Sequence, residues 1–438
     1  MYRKIYQDLI TWKNKCNRKP LILQGARQVG KTYILKEFGK NEFKNMVYMN
    51  CENNSQINDI FFDFDIKRII RSLEIISGQN IIPGETLIFF DEIQEIPKAL
   101  SSLKYFYENC PEYYIVVAGS LLGISIHNNS SFPVGKTNSL HLYPMNFEEF
   151  LLAMNENSKH ELLKSNIWNE IDSFRVTFIE LLRQYYFVGG MPEAVLSYIT
   201  TKDSKQVREI QNELLKNYIL DISKHAPTND IPKINKVWNA IPGQLAKENK
   251  KFIYSSLHKG ARGTQYDNAI QWLVDSGMVY KIHKITKAEL PVKYYEDDNS
   301  FKLYLLDCGL MGALCSTPEE DILIGNAVFV EYKGSFTEVY VLQQLKTISE
   351  LIIHYYANEK STIEIDFIIQ SDNKITPIEV KAEENLKSKS LKSFLEKNSK
   401  LKAIRFSMLP YKEEERITNI PLYGINNFFQ VYHLYDKN

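Results

Sequence analysis

The sequence has no run approaching the roughly 18 consecutive apolar residues that a membrane helix needs, which excludes a helical membrane span. It also has no excess of charge. Lys+Arg and Asp+Glu both total 53, so no global field draws the chain toward nucleic acid or a lipid surface, and any such affinity has to be local. Cysteine is sparse: Cys16, Cys51, Cys110, Cys308 and Cys315 are scattered, with neither a disulfide framework nor a zinc spacing. The first residues, MYRKIYQDLITWKNK, are amphipathic and charged and lack the apolar core of a signal peptide. A reducing, cytoplasmic setting with no membrane partner is the expectation. No internal repeat and no low-complexity stretch occurs. What remains is ordinary globular material, 44% apolar and 24% charged, in 438 residues. That length suggests about three domains.

Three textures follow one another. Residues 1–150 alternate helical patterns with short, nearly continuous apolar runs: PLILQG, NMVYMNCE, TLIFFDE, YYIVVAGS and SLHLYP. Such runs predict a parallel sheet covered on both faces, an α/β domain. Residues 151–325 are mostly helical, as in FEEFLLAM, FIELLRQYYFV and VREIQNELLKNYILDI. Residues 326–438 mix a helix, two alternating strands and a basic helix.

Gly25-Ala26-Arg27-Gln28-Val29-Gly30-Lys31-Thr32 satisfies GxxxxGK[ST] at every fixed position. An apolar strand precedes it and YILKEF follows as a helix. Glycines let backbone N–H groups turn inward around phosphate oxygens, aided by the positive end of the helix. Lys31 would reach the β- and γ-phosphates of ATP, and the Thr32 hydroxyl would ligate Mg²⁺. A phosphoryl-transfer site of this kind also needs a carboxylate at the end of a buried strand. Leu87-Ile88-Phe89-Phe90 followed by Asp91-Glu92 supplies it, some 60 residues on. Asp91 would hold the metal's water shell and Glu92 would polarise the attacking water. Ser120, at the end of YYIVVAGS, is a candidate sensor of the γ-phosphate or the water.

VGKT recurs at 134–137, and there the same test fails. Position 130 is Ser where Gly is needed, HNNSSF is a polar loop rather than a strand, and SLHLYP reads as a strand rather than a helix. Pro133 fixes φ and removes a donor. Lys136 is left as a lone lysine in a loop.

The block GARQVGKT … LIFFDEIQ … VVAGSLLG … FPVGKTNSLHLYPMNFEEFL … FVGGMPEAV resembles prokaryotic AAA+-type ATPases related to archaeal and signal-transducing ATPases, whose C-terminal half is a domain of unknown function. The similarity runs over essentially the whole chain. It implies an ATPase that uses Mg²⁺, often with ATP between subunits, hence a homo-oligomer. Many members carry Gly-Arg in the loop before the LxPxxFxEF segment, where the basic residue is a candidate trans-acting finger. The matching pair here is Gly135-Lys136, and lysine lacks arginine's planar fork. The resemblance also makes Gly189-Gly190-Met191-Pro192 the entry to a helical lid. By itself GGMP is a helix stop and turn.

ENKKFIYSSLHKGARGTQYDNAIQWLVDSGMVYKIHKI predicts a short helix, a turn, a second helix stopped by Gly277, then a hairpin, the order of a winged helix. His258, Lys259 and Arg262 would open its DNA-reading face. Tyr266, Ala269, Ile270, Leu273 and Val274 have core spacing.

In SFTEVYVLQQLKTI, Glu338 shares the apolar face of Val341, Leu342 and Leu345, and a carboxylate there needs a partner. In IEIDFIIQ, Glu364 and Asp366 point away from the apolar side. ITPIEVKAEE places Glu379 and Lys381 together on one face. Asp366, twelve residues, Glu379-x-Lys381 matches the PD-(D/E)xK core of restriction-endonuclease-like domains. Asp366 and Glu379, with Glu338, would ligate Mg²⁺, and Lys381 would orient or deprotonate the water. LKSKSLKSFLEKNSKLKAIR, with seven basic residues and one acidic, suits either phosphates or a solvated face. Two readings stay open: ATP-coupled binding or cleavage of DNA, and a nucleotide-controlled switch with an idle nuclease fold. A pure DNA-binding module is a third and weaker one.

Overall fold

The computed structural model describes residues 1–52, 55–124, 133–247, 250–324, 330–349, 351–358, 363–382 and 388–429. Most of the polar loop before the second VGKT, the start of ENKK and Lys387 of the basic segment lie outside the described residues. The chain folds as two compact units. The first comprises Tyr2–Tyr143 with Asp275–Met278, and the second comprises Pro144–Val274 and Val279 onward.

The first unit is built on five strands: β1 Leu21–Gln24, β2 Asn45–Asn50, β3 Thr86–Asp91, β4 Tyr114–Ala118 and β5 Asn138–His141. All pair in parallel, in the order β2-β3-β4-β1-β5. β3 is buried at all six positions, as a strand covered on both faces must be. β5 alternates half-buried and exposed positions at the sheet edge. Ile22, Val47, Ile88, Phe90 and Val117 supply one sheet face, packed against Ile69, Leu73, Leu103 and Phe106 of helices Ile66–Ser77 and Pro97–Asn109. Asp65 caps the first of these by accepting from Lys67 and Arg68 N–H groups. The strand order matters for function. β4 lies between the strand that enters the glycine loop and the strand that ends in Asp91, so the C-terminal ends of all three parallel strands lie side by side.

The second unit pairs helices with an eight-stranded mixed sheet. Its strands are β6 Val279–Ile285, β7 Glu296–Leu305, β8 Ile352–Ala357, β9 Glu364–Ser371, β10 Lys374–Val380, β11 Ala403–Ser407, β12 Lys412–Glu413 and β13 Ile417–Pro421. The order is β12-β13-β11-β10-β9-β8-β6-β7. The hairpin expected as a wing, β6–β7, is therefore the end of the sheet that carries Asp366 and Glu379. Lys284 and Ile285 pair in parallel with Tyr355 and Tyr356, which joins β6 to β8 across residue 325. The short helix expected before it is a single 3-10 turn, Tyr254–Ser256, while helix Gly263–Asp275 forms as expected, with Tyr266, Ala269, Ile270 and Leu273 buried. At GGMP, helix Arg175–Val188 stops and Pro192 begins the next helix. Gly190 N–H donates to Asp307 at 2.6 Å, and Asp307 caps helix Cys308–Leu314. Among the described residues no helix is long and apolar enough to cross a membrane.

Candidate nucleotide site

β1 delivers the chain into the glycine loop, and helix Lys31–Glu42 leaves it with Gly30 as its N-cap at φ +97°. Gly25 has φ +144°, and a Cβ there would meet the Leu142 carbonyl oxygen at 2.3 Å. Both positions need glycine. Ala26 and Val29 are buried, and Gln28 is left-handed at φ +64°. Lys31 is buried, and its ammonium donates to the carbonyls of Gly25 and Ala26, each at 2.8 Å. Burial lowers its pKa to about 8, against the pull of Glu92 and Asp91. The lysine is thus held in the loop and faces both carboxylates.

Thr32 Oγ1 donates to Asp91 Oδ2 at 2.8 Å, and Tyr48 donates to the same oxygen at 3.2 Å. Burial raises the Asp91 pKa, with the two donors working against it. A hydroxyl and a carboxylate in contact at the start of a helix are hard oxygen donors of the sort Mg²⁺ takes. This pair fits that ion. Glu92 sits in the left-handed region at φ 50°, unusual for a side chain of its size. Its Oε2 accepts from Gln94 at 2.6 Å and from the Ser120 N–H and hydroxyl at 3.2 and 3.3 Å. Ser120, expected as a sensor of phosphate or water, thus reaches Glu92. β4 beside β3 puts it there.

The second VGKT is a turn followed by β5, as its context implied. Lys136 N–H donates to the Pro133 carbonyl, and Lys136 Nζ lies 2.9 Å from Glu108 Oε1. Its charge is directed at its own chain, not only at solvent.

The carboxylates of the second unit lie among lysines. Glu338 is 2% exposed, and both its oxygens are taken: Oε1 by Lys250 Nζ, Oε2 by the Tyr304 hydroxyl at 2.9 Å. Burial would push Glu338 up, but Lys250 and Lys302 hold it below the usual carboxylate range. Lys302, wholly buried, pairs with Glu364 at 2.5 Å. Asp366 Oδ2 accepts from Val380 N–H at 2.7 Å. Burial, reinforced by Glu338, raises Asp366 to about 7 despite the two lysines. Glu379 pairs with Lys381 at 3.1 Å, and its other oxygen is buried without a hydrogen-bond partner. Among the described residues, the one group of three His, Cys, Asp or Glu side chains whose ligand atoms lie within 4.8 Å of one another is elsewhere, so Glu338, Asp366 and Glu379 are not such a group. In this structure Lys250 lies beside Glu338 and supplies its counter-charge. The basic segment also changes. Arg405 is 1% exposed and bonds Asn419 and Ser388, so it is no phosphate contact.

Residues 17–151 match a family model described as an AAA domain. They form an AAA-type P-loop domain. Residues 179–321 and 333–428 match two models described as domains of unknown function, DUF8612 and DUF4143. No curated protein matches the chain. Among solved structures, the chain is similar to the Walker-type ATPase paby2304 of Pyrococcus abyssi, at 14% identity over 72% of this chain and 95% of that one, TM-score 0.46. It is also similar to the ORC1 protein of Aeropyrum pernix, solved in complex with DNA, at 11% identity over 72% and 91%, TM-score 0.28. A third is RuvB of Thermotoga maritima, at 15% identity over 63% and 88%, TM-score 0.27.

The AAA domain has one support that sequence reasoning missed. Arg3 donates to the Val29 carbonyl at 2.8 Å and to the Tyr143 carbonyl at 2.6 Å, tying the glycine loop to the end of the domain. An arginine inside the amphipathic N-terminal stretch gives no local hint of this role.

Proposed function

We propose that the chain is a Mg²⁺-dependent ATP hydrolase whose second unit reads the nucleotide state as a scaffold or switch. The observation that carries the first half is the contact of Thr32 Oγ1 with Asp91 Oδ2 at 2.8 Å, with Lys31 held in the loop beside it. In this reading the N–H groups of Gly25 to Thr32 and the Lys31 ammonium hold the phosphates. Thr32 and Asp91 would hold the Mg²⁺, and the ion when bound would supply positive charge against the phosphoryl oxygens. Glu92, aimed by Ser120 and Gln94, takes the proton of the attacking water as its oxygen bonds to the γ-phosphorus. The bond to the bridging oxygen breaks, and ADP and phosphate leave. Lys31→Ala is expected to abolish turnover. Unchanged turnover would remove the assignment.

The scaffold half rests on Lys250. With a lysine already against Glu338, the charge that a nuclease metal would neutralise is neutralised by the protein. Cleavage of DNA is the second reading, favoured by the buried, unpartnered Glu379 oxygen and by Lys381 beside it. Plasmid nicking with Mg²⁺ or Mn²⁺, with and without ATP, separates the two. The scaffold reading expects none. Nicking that is lost in both Asp366→Ala and Lys381→Ala would replace it. DNA binding through His258, Lys259 and Arg262, and assembly into a homo-oligomer, belong to the same proposal and are read by salt-dependent DNA binding and by sedimentation.

A further inference from the structure

A cluster of ligating side chains lies on the other part of the eight-stranded sheet, outside the AAA domain and away from the expected nuclease residues in sequence. His283 is on β6, Glu296 and Asp298 are on β7, and His354 is on β8. β6 pairs with both other strands, so one central strand brings the four together. A register irregularity between His283 and Lys284 shifts the β7 pairing there from Phe301 to Asp297. One ligand atom each from His283, Glu296 and Asp298 lies within 4.8 Å of the others.

The contacts inside this group are incomplete in a telling way. His283 Nδ1 is buried and has no hydrogen-bond partner, although Glu296 Oε1 is 3.5 Å from it. His354, 5% exposed, meets the other Glu296 oxygen through Nε2 at 2.8 Å. That is how a ligating carboxylate is fixed by a neighbour that does not itself bind the metal. Asp297, between the two ligands, is turned to Lys284 at 2.9 Å and does not compete. Lys281 acts on His283, and its ammonium sits 4.4 Å from the centre of the Phe301 ring.

We propose that His283, Glu296 and Asp298 bind a transition-metal dication, zinc foremost, with His354 as the positioning residue for Glu296. One imidazole and two carboxylates suit zinc, and also manganese or cobalt, while Mg²⁺ avoids imidazole. Three protein ligands leave a coordination position free. The site would tie β7, the edge strand, to β6 beside it.

The test uses the full chain after chelator treatment, with Zn²⁺ alone as probe. Competition against a chromophoric chelator is expected to show one tight equivalent, absent in Asp298→Asn and in His283→Asn. Asp298 is exposed, so its variant is expected to fold even where a change at His283 does not. His354→Gln is expected to weaken binding by about 10- to 100-fold without removing it. X-ray absorption at the zinc edge is expected to show a nitrogen and oxygen shell without sulfur. No tight equivalent, an equivalent that survives in Asp298→Asn, or a sulfur shell from Cys16 or another thiol would each overturn the proposal.

Discussion

Lys250 and Glu338 are 88 residues apart in sequence and form an ion pair in which Glu338 is almost wholly buried. Removing one partner strands the other charge in the interior. Lys250→Met is therefore expected to destabilise the second unit by about 3–5 kcal/mol. Adding Glu338→Leu should return most of that, because no buried charge is then left unpaired. Urea unfolding of the two variants checks this, and equal loss in single and double variants would contradict it.

On the proposed reading Ser120 positions Glu92, whose Oε2 accepts from its N–H and hydroxyl. Ser120→Ala is expected to lower kcat by roughly tenfold, about 1.4 kcal/mol of barrier, while leaving ATP affinity unchanged. A sensor that touches phosphate would instead lose affinity. Equilibrium binding of ATP beside steady-state kinetics distinguishes them.

Lys31 links nucleotide binding to protons. Its pKa in the loop is lowered to about 8 by burial, whereas bound phosphates would keep it charged. Below pH 8 the free loop already carries the proton. Above pH 8 it must take one up on binding, so affinity is expected to fall by up to tenfold per pH unit. Calorimetry in buffers of different ionisation heat reads the proton uptake directly. Affinity that is flat from pH 7 to 9.5 would contradict the account.

Lys136 pairs with Glu108 at the surface of its own chain. Such pairs contribute little, so Lys136→Ala is expected to leave both the melting temperature and ATP turnover unchanged. A fall in turnover of a hundredfold or more, at unchanged stability, would show the charge acting on a neighbour's nucleotide.

The glycine loop and Asp91-Glu92 are legible in the sequence because each is a local pattern: glycines at fixed offsets, and a carboxylate pair behind four apolar residues. The failure of the second VGKT is legible for the same reason. Contacts set by strand order are not. Nothing near Ser120 says that β4 lies beside β3, and nothing in MVYKIHKI says that it joins β8 rather than standing as a wing. Glu338 announces that it needs a partner, yet Lys250 and Tyr304 lie 88 and 34 residues away. Lys302 within FKLYLLD does signal a buried pair, since a charge in an apolar run has to be matched, but its partner is Glu364. The alternation around Asp366 and Glu379 reports correctly which side of the strand they leave, but not that two lysines are already there.

The most direct measurement is steady-state ATP hydrolysis by Glu92→Gln, alongside equilibrium binding of a fluorescent ATP analogue. The account expects affinity like that of the natural chain and turnover lower by at least a hundredfold. Turnover equal to that of the natural chain, with the analogue still bound, would contradict it.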